Sequence, residues 1–191
     1  MDSNRWRTVD IVVAAVIAVA FGVIFFAWNN VWEVSSAFNG FPPLRALLNG
    51  VWLVPAVLGP LVVRKPGAGL FTETVAAVIS ALLGSQWGMI TILYGLFQGV
   101  AGEAAFAATL YRSSRLPVAL AGGALAGAAA GFLDVAIYYP DYSLTWRFAQ
   151  IGLSALSGLV VAGLGSWALT LALARTGVLD RFPSGRERVT V

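Results

Sequence analysis

Residues Met89 to Leu110 read MITILYGLFQGVAGEAAFAATL, an apolar run interrupted near its middle by Gln98 and Glu103. A carboxylate among lipid tails costs roughly 2.5–3.5 kcal/mol on insertion scales. It therefore needs a substrate, a partner subunit or a bond to a neighbouring helix. In water the same run would carry no such demand, so the fold turns on which solvent the chain occupies.

Composition decides that question. Hydrophobic residues make up 59% of the 191 and charged residues only 11%, against about 25% charged in soluble domains. The chain reads as an integral membrane protein, all-α, because an isolated segment satisfies its backbone in lipid by forming a helix. It has no His and no Cys, which removes imidazole and thiolate metal sites, Cys/His nucleophile pairs and disulfides. The net charge of +3 comes from short inter-segment loops and carries no nucleic-acid reading.

Working outward from the central run, hydropathy and turn residues lay out six transmembrane helices over about 9–29, 44–63, 70–84, 87–112, 116–139 and 145–175, with a polar tail over 176–191. The basic start and Ala18-Val19-Ala20 have the form of a signal peptide, but apolar residues continue to the roughly 20 needed for a span, so the first helix is expected to be retained. The segment Asn29 to Pro43 reads as a loop, and Arg64-Lys65-Pro66-Gly67 as a helix stop. The third helix is short for a crossing, which places the turn Gly84–Gly88 below the surface. With the N-terminus cytoplasmic, ten of the 12 Lys and Arg residues fall on the inner side and only Arg45 and Arg147 outside. The positive-inside rule then puts both termini in the cytoplasm. No linker or internal repeat divides the chain, and residues 1–191 are expected to form one domain.

Small residues recur at spacing four: Ala14, Ala18 and Gly22 in the first helix, Gly123, Gly127 and Gly131 in the fifth, Ser154, Gly158, Ala162 and Ser166 in the sixth. Such stripes let helices approach closely, either within the fold or, for the first helix, against another subunit.

The remaining polar residues gather toward the outer ends of the helices: Asn29, Trp32 and Glu33, then Gln86 and Trp87, then Asp134, Tyr138 and Gln150, with Trp52 nearby. Small-molecule sites combine aromatic walls with a few placed polar groups, and aromatic faces hold cations. Glu73 and Glu103 could instead pair with Arg64, Lys65 or Arg112 toward the inner side. No Walker A, G-x-S-x-G or H-E-x-x-H motif is present, so neither an enzyme nor a resident cofactor is expected.

The blocks Arg64-Lys65-Pro66-Gly67-Ala68-Gly69-Leu70 with Glu73, the turn glycines Gly84 and Gly88, Gln98-Gly99-Val100-Ala101-Gly102-Glu103, and the later Asp134 resemble the YkoE family. These are S components, the substrate-binding subunits of energy-coupling factor (ECF) transporters, associated with thiamine and its hydroxymethylpyrimidine (HMP) precursor. The family more often reads Q-G-L-G-A-E, so the amide and the carboxylate stay in place. The resemblance implies six helices, capture of a vitamin at the outer face of a prokaryotic cytoplasmic membrane, and reorientation driven by a T subunit and two ATP-binding-cassette ATPases. It also implies coupling through an alanine-rich face on the first helix, which Ala14 and Ala18 match. Thiamine suits the mouth: its aminopyrimidine can meet Gln98, Asp134 or a Glu, and its thiazolium favours carboxylates and Trp or Tyr faces. Another vitamin, or a structural subunit without a ligand, are the alternatives.

Helical geometry divides the opening motif. At about 100° per residue, Trp87, Thr91, Tyr94 and Gln98 share one face, whereas Glu103 points roughly 140° away from Gln98. The Gln98 face is expected to line a pocket, and Glu103 either to bind substrate or to brace one helix against another.

Overall fold

The computed structural model describes residues 5–35, 40–182 and 185, and every regular element among them is helical. Helix α1 spans Thr8–Val34. A tightly wound 3₁₀ segment, Pro42–Leu53, runs directly into α2, Val54–Val63. Then come α3, Ala68–Leu82, α4, Ile90–Ala108, and α5, Leu116–Ile137. The last span is continuous: α6, Leu144–Ser157, a π-wound stretch Gly158–Leu164, and α7, Gly165–Arg175. Five of the six spans are long and apolar enough to cross a bilayer, and α3 is shorter. The expected six-span, all-α bundle is therefore the fold found.

Several boundaries differ from the sequence reading: the fourth helix, expected over about 87–112, is shorter at both ends, Ile90–Ala108, and the first is longer. Asn29 and Asn30 look like the start of a loop, yet α1 carries on to Val34, because isolated polar side chains do not stop a helix where no Pro or Gly follows them. The tail is not uniformly polar: Leu179 and Phe182 are buried in the core, with the Arg7 guanidinium 6.0 Å from the Phe182 ring centre.

Helix α2 is the central post. All ten of its residues are buried, packed by α1, α3, α4, α5 and α7, which its aliphatic and small side chains allow. A Cβ on Gly59 would sit 2.4 Å from the Thr72 hydroxyl, and one on Gly69 2.6 Å from the Ala56 carbonyl. The α2–α3 crossing thus depends on bare backbone. Helix α4 closes on α3 the same way, Gly95 against Ala77 and Gly99 against Leu70.

The small-residue stripes are internal. A Cβ on Gly123 would lie 2.2 Å from the Gly158 carbonyl, and one on Gly127 2.3 Å from that of Ser154, so α5 and the last span meet backbone to backbone. Of the two readings of the first stripe, packing within the fold is what the isolated subunit displays: Ala14, Ala18 and Gly22 are buried, and a Cβ on Gly22 would strike Ile79 of α3. The short helix α3 has to nest against α1 to bury its own small residues, and this stripe is where it does so.

At the end of the bundle where α1 begins and α7 ends, Asp10 accepts the α1 N-cap amide of Arg7 at 2.8 Å and pairs with Lys65 at 2.9 Å. The Trp6 indole donates to the Pro66 carbonyl at 2.9 Å. The start of α1 is thereby tied to the turn between α2 and α3, where Gly67 takes the left-handed φ of 86° that opens α3.

Candidate functional site

At the opposite end, a cavity of about 290 Å³ lies among α1, the 3₁₀ segment, α3, α4 and α5. Its upper wall is aromatic. Trp32, Trp52 and Trp87 meet edge to face, with ring centres 5.4–6.1 Å apart, and Tyr94 leans on Tyr138 at 6.3 Å. Trp32 is held from behind by Arg45, whose guanidinium sits 4.2 Å from the ring centre and donates to the Trp32 carbonyl at 2.7 Å. Burial, and next the Asp134 carboxylate, raise the Tyr139 hydroxyl above its usual pKa, so this part of the rim is a neutral phenol.

The polar floor draws its groups from α1, the 3₁₀ segment, α3, α4, α5 and α6. Asp134 of α5 accepts from the Tyr94 hydroxyl at 2.8 Å, from the Asn49 amide at 2.9 Å and from the Gln150 amide at 2.8 Å. The same Asn49 nitrogen reaches Ser154 at 3.0 Å. Glu73 of α3 is wholly buried. Its Oε2 accepts from the Ala56 amide at 2.9 Å, where the 3₁₀ winding hands over to α2 and a backbone donor lacks a helical partner. Its Oε1 has no partner, and neither has Oδ1 of Asn29, whose amide nitrogen is used on Ser85 at 3.4 Å. Among the described residues, two carboxylates and no Lys or Arg line the cavity.

The profile of the permease component of ABC-type cobalt transport systems matches residues 9–129. A Bacillus subtilis (strain 168) protein named "Putative HMP/thiamine permease protein YkoE" is 32% identical over 185 residues, covering 96% of this chain and 92% of that one. A solved crystal structure of an S-component of an ECF transporter superposes with a TM-score of 0.90 at 32% identity, over 96% of this chain and 93% of that one. The chain belongs to the YkoE-like S components of ECF transporters.

This S component is a multi-pass membrane transport subunit and not an enzyme, and its membership implies an ECF module as partner. Of the residues singled out in the sequence, Asn29, Trp32, Trp52, Glu73, Trp87, Tyr94, Gln98, Asp134 and Tyr138 all line the cavity. Three do not. Glu33 is exposed, since one helical step from Trp32 carries it about 100° off the inward face. Gln150 is buried behind the wall, holding Asp134.

Glu103 is the third correction. It lies at the other end of the S component, accepting from the backbone amides of Gly67 and Leu70 (the latter at 2.9 Å) and from the Tyr111 hydroxyl at 2.8 Å. It caps the start of α3, and the brace is the reading that holds. Glu103 and Glu73 both accept from backbone amides at helix starts, and Lys65 pairs with Asp10. Thr91 lines the cavity as its place on the Gln98 face predicts, whereas Asn49 and Ser80 also line it and went unmarked in the sequence. Asn49 carries the same signal as Gln98, an amide alone in an apolar run, and could have been found by it.

Proposed function

We propose that this S component captures thiamine or its HMP precursor at the outer face of a prokaryotic cytoplasmic membrane and delivers it by reorienting as a whole subunit. A separate T subunit and two ATP-binding-cassette ATPases supply the work. The observation that carries this reading is the cavity: a tryptophan wall over a floor that has, among the described residues, two carboxylates, no basic side chain, and two buried oxygens without partners. Such a floor complements a ligand that brings N–H donors and positive charge, and the aromatic wall complements a flat ring. The name of the Bacillus relative supports the same substrate class. With both termini cytoplasmic, as the distribution of Lys and Arg directs, the cavity end faces outward.

The cobalt in the description of the matching profile does not suit this floor as cargo. The chain has no His or Cys, and the described residues hold no cluster of three or more acidic side chains fit for a metal ion.

Calorimetry on the purified full chain, with thiamine, HMP and riboflavin titrated separately, tests the proposal. Thiamine or HMP is expected to bind more tightly than about micromolar, near −8.2 kcal/mol. Binding of riboflavin alone, or of none of the three, would overturn it.

A further inference from the structure

The geometry points to Glu73 as the residue that makes this S component prefer an amino-substituted ring over its oxo counterpart, with the Ala56 amide fixing the direction of that preference. The inference rests on the cavity being the substrate site. The Ala56 N–H is accepted by one carboxylate oxygen of Glu73 at 2.9 Å, and the other oxygen is buried with no partner in a residue that lines the cavity. Asn29 repeats the arrangement from α1: its amide nitrogen is committed to Ser85, and its buried oxygen has no partner.

Two further groups lose their donors to the protein itself. Tyr94 gives its hydroxyl proton, and Asn49 an amide proton, to Asp134. The floor therefore offers the ligand chiefly lone pairs, while Gln98 can serve in either sense. An exocyclic amine brings two N–H donors to such a floor. A ring carbonyl in its place brings another acceptor, and sites built to hydrogen-bond one group reject the analogue that lacks it.

Glu73→Gln tests the direction as well as the existence of this selection. The Ala56 amide still needs an acceptor, and only the amide oxygen of Gln can provide one. The new NH₂ then stands where the unpaired oxygen stood, and an acceptor toward the ligand becomes a donor. Affinities for thiamine and for oxythiamine, its 4-oxo analogue, are measured by calorimetry on wild type and variant. Wild type is expected to prefer thiamine by about tenfold or more, and Glu73→Gln to reverse the order.

Asn29→Leu removes the second free acceptor without adding a donor. It should narrow the wild-type preference without reversing it, and it keeps the inference testable where Glu73→Gln does not fold. Equal binding of the two compounds by wild type, or equal weakening of both in each folded variant, would overturn the role of Glu73 and leave the substrate site standing. Binding of neither compound by wild type would overturn the thiamine reading, and this inference with it.

Discussion

The Asn49 amide reaches the Asp134 carboxylate at 2.9 Å across 85 residues of sequence, joining the 3₁₀ segment to α5 beneath the cavity. Asp134→Ala leaves three donors, those of Tyr94, Asn49 and Gln150, without their acceptor. Hydrogen bonds to charged groups contribute about 1.5–3 kcal/mol each. The variant should unfold at a clearly lower temperature in detergent, and Asn49→Ala on top of it should cost less than on the wild-type background. Additive losses would show that the two residues are not coupled.

Glu103 and Gln98 share a motif but not a task. Glu103→Gln keeps the shape yet weakens the clamp on Gly67, Leu70 and Tyr111, so it should lower thermal stability by about 1–3 kcal/mol with ligand affinity changed less than about twofold. Gln98→Ala should do the reverse. Equal loss of binding in both variants, with both well folded, would refute the division.

The division also shows what could be read in advance. Hydropathy and the Lys/Arg pattern were enough for the six spans, because lipid demands long apolar helices and little else. The period of 3.6 residues was enough to separate Gln98 from Glu103. Nothing local could show that Glu73 turns to a backbone amide of α2 and away from Lys65, since that depends on α2 being the buried post and on a helix start needing a partner. The same holds for Ala14 and Ala18: spacing reveals a contact face, and only the assembled bundle reveals that α3 occupies it. Trp32 and Glu33 are neighbours in sequence, and their separation onto inward and outward faces required knowing that α1 had not yet ended.

Backbone contact between α5 and the last span sets a sharp contrast between glycines. Gly123→Val would drive a side chain into the Gly158 carbonyl and should cost about 1–3 kcal/mol or more through overpacking. Gly152→Ala, where a Cβ would meet nothing within 4 Å, should stay within about 0.5 kcal/mol. Thermal unfolding of the two purified variants checks this, and similar behaviour would contradict the packing described.

Burial of the first stripe yields a test of how α1 works. Ala18→Leu should destabilise the isolated subunit, because Ala18 is fully buried, whereas Val16→Leu, on the 62% exposed outer side of the same helix, should leave its stability and ligand binding unchanged. A well-folded Ala18→Leu subunit that binds ligand but fails only in assembled uptake would return the stripe to a docking role.

The 3₁₀ segment has a geometric effect on the cavity that α-helical winding could not reproduce. With three residues per turn, Pro43, Ala46, Asn49 and Trp52 stack in one straight column, and its last two members line the cavity together. Wound as an α-helix, the same nine steps from Pro43 to Trp52 would accumulate about half a revolution of offset. The indole would then swing to the far side, away from Trp32 and Trp87. The tryptophan wall is in this sense a product of pitch: the chain aims Trp52 by choosing how tightly to coil well before reaching it.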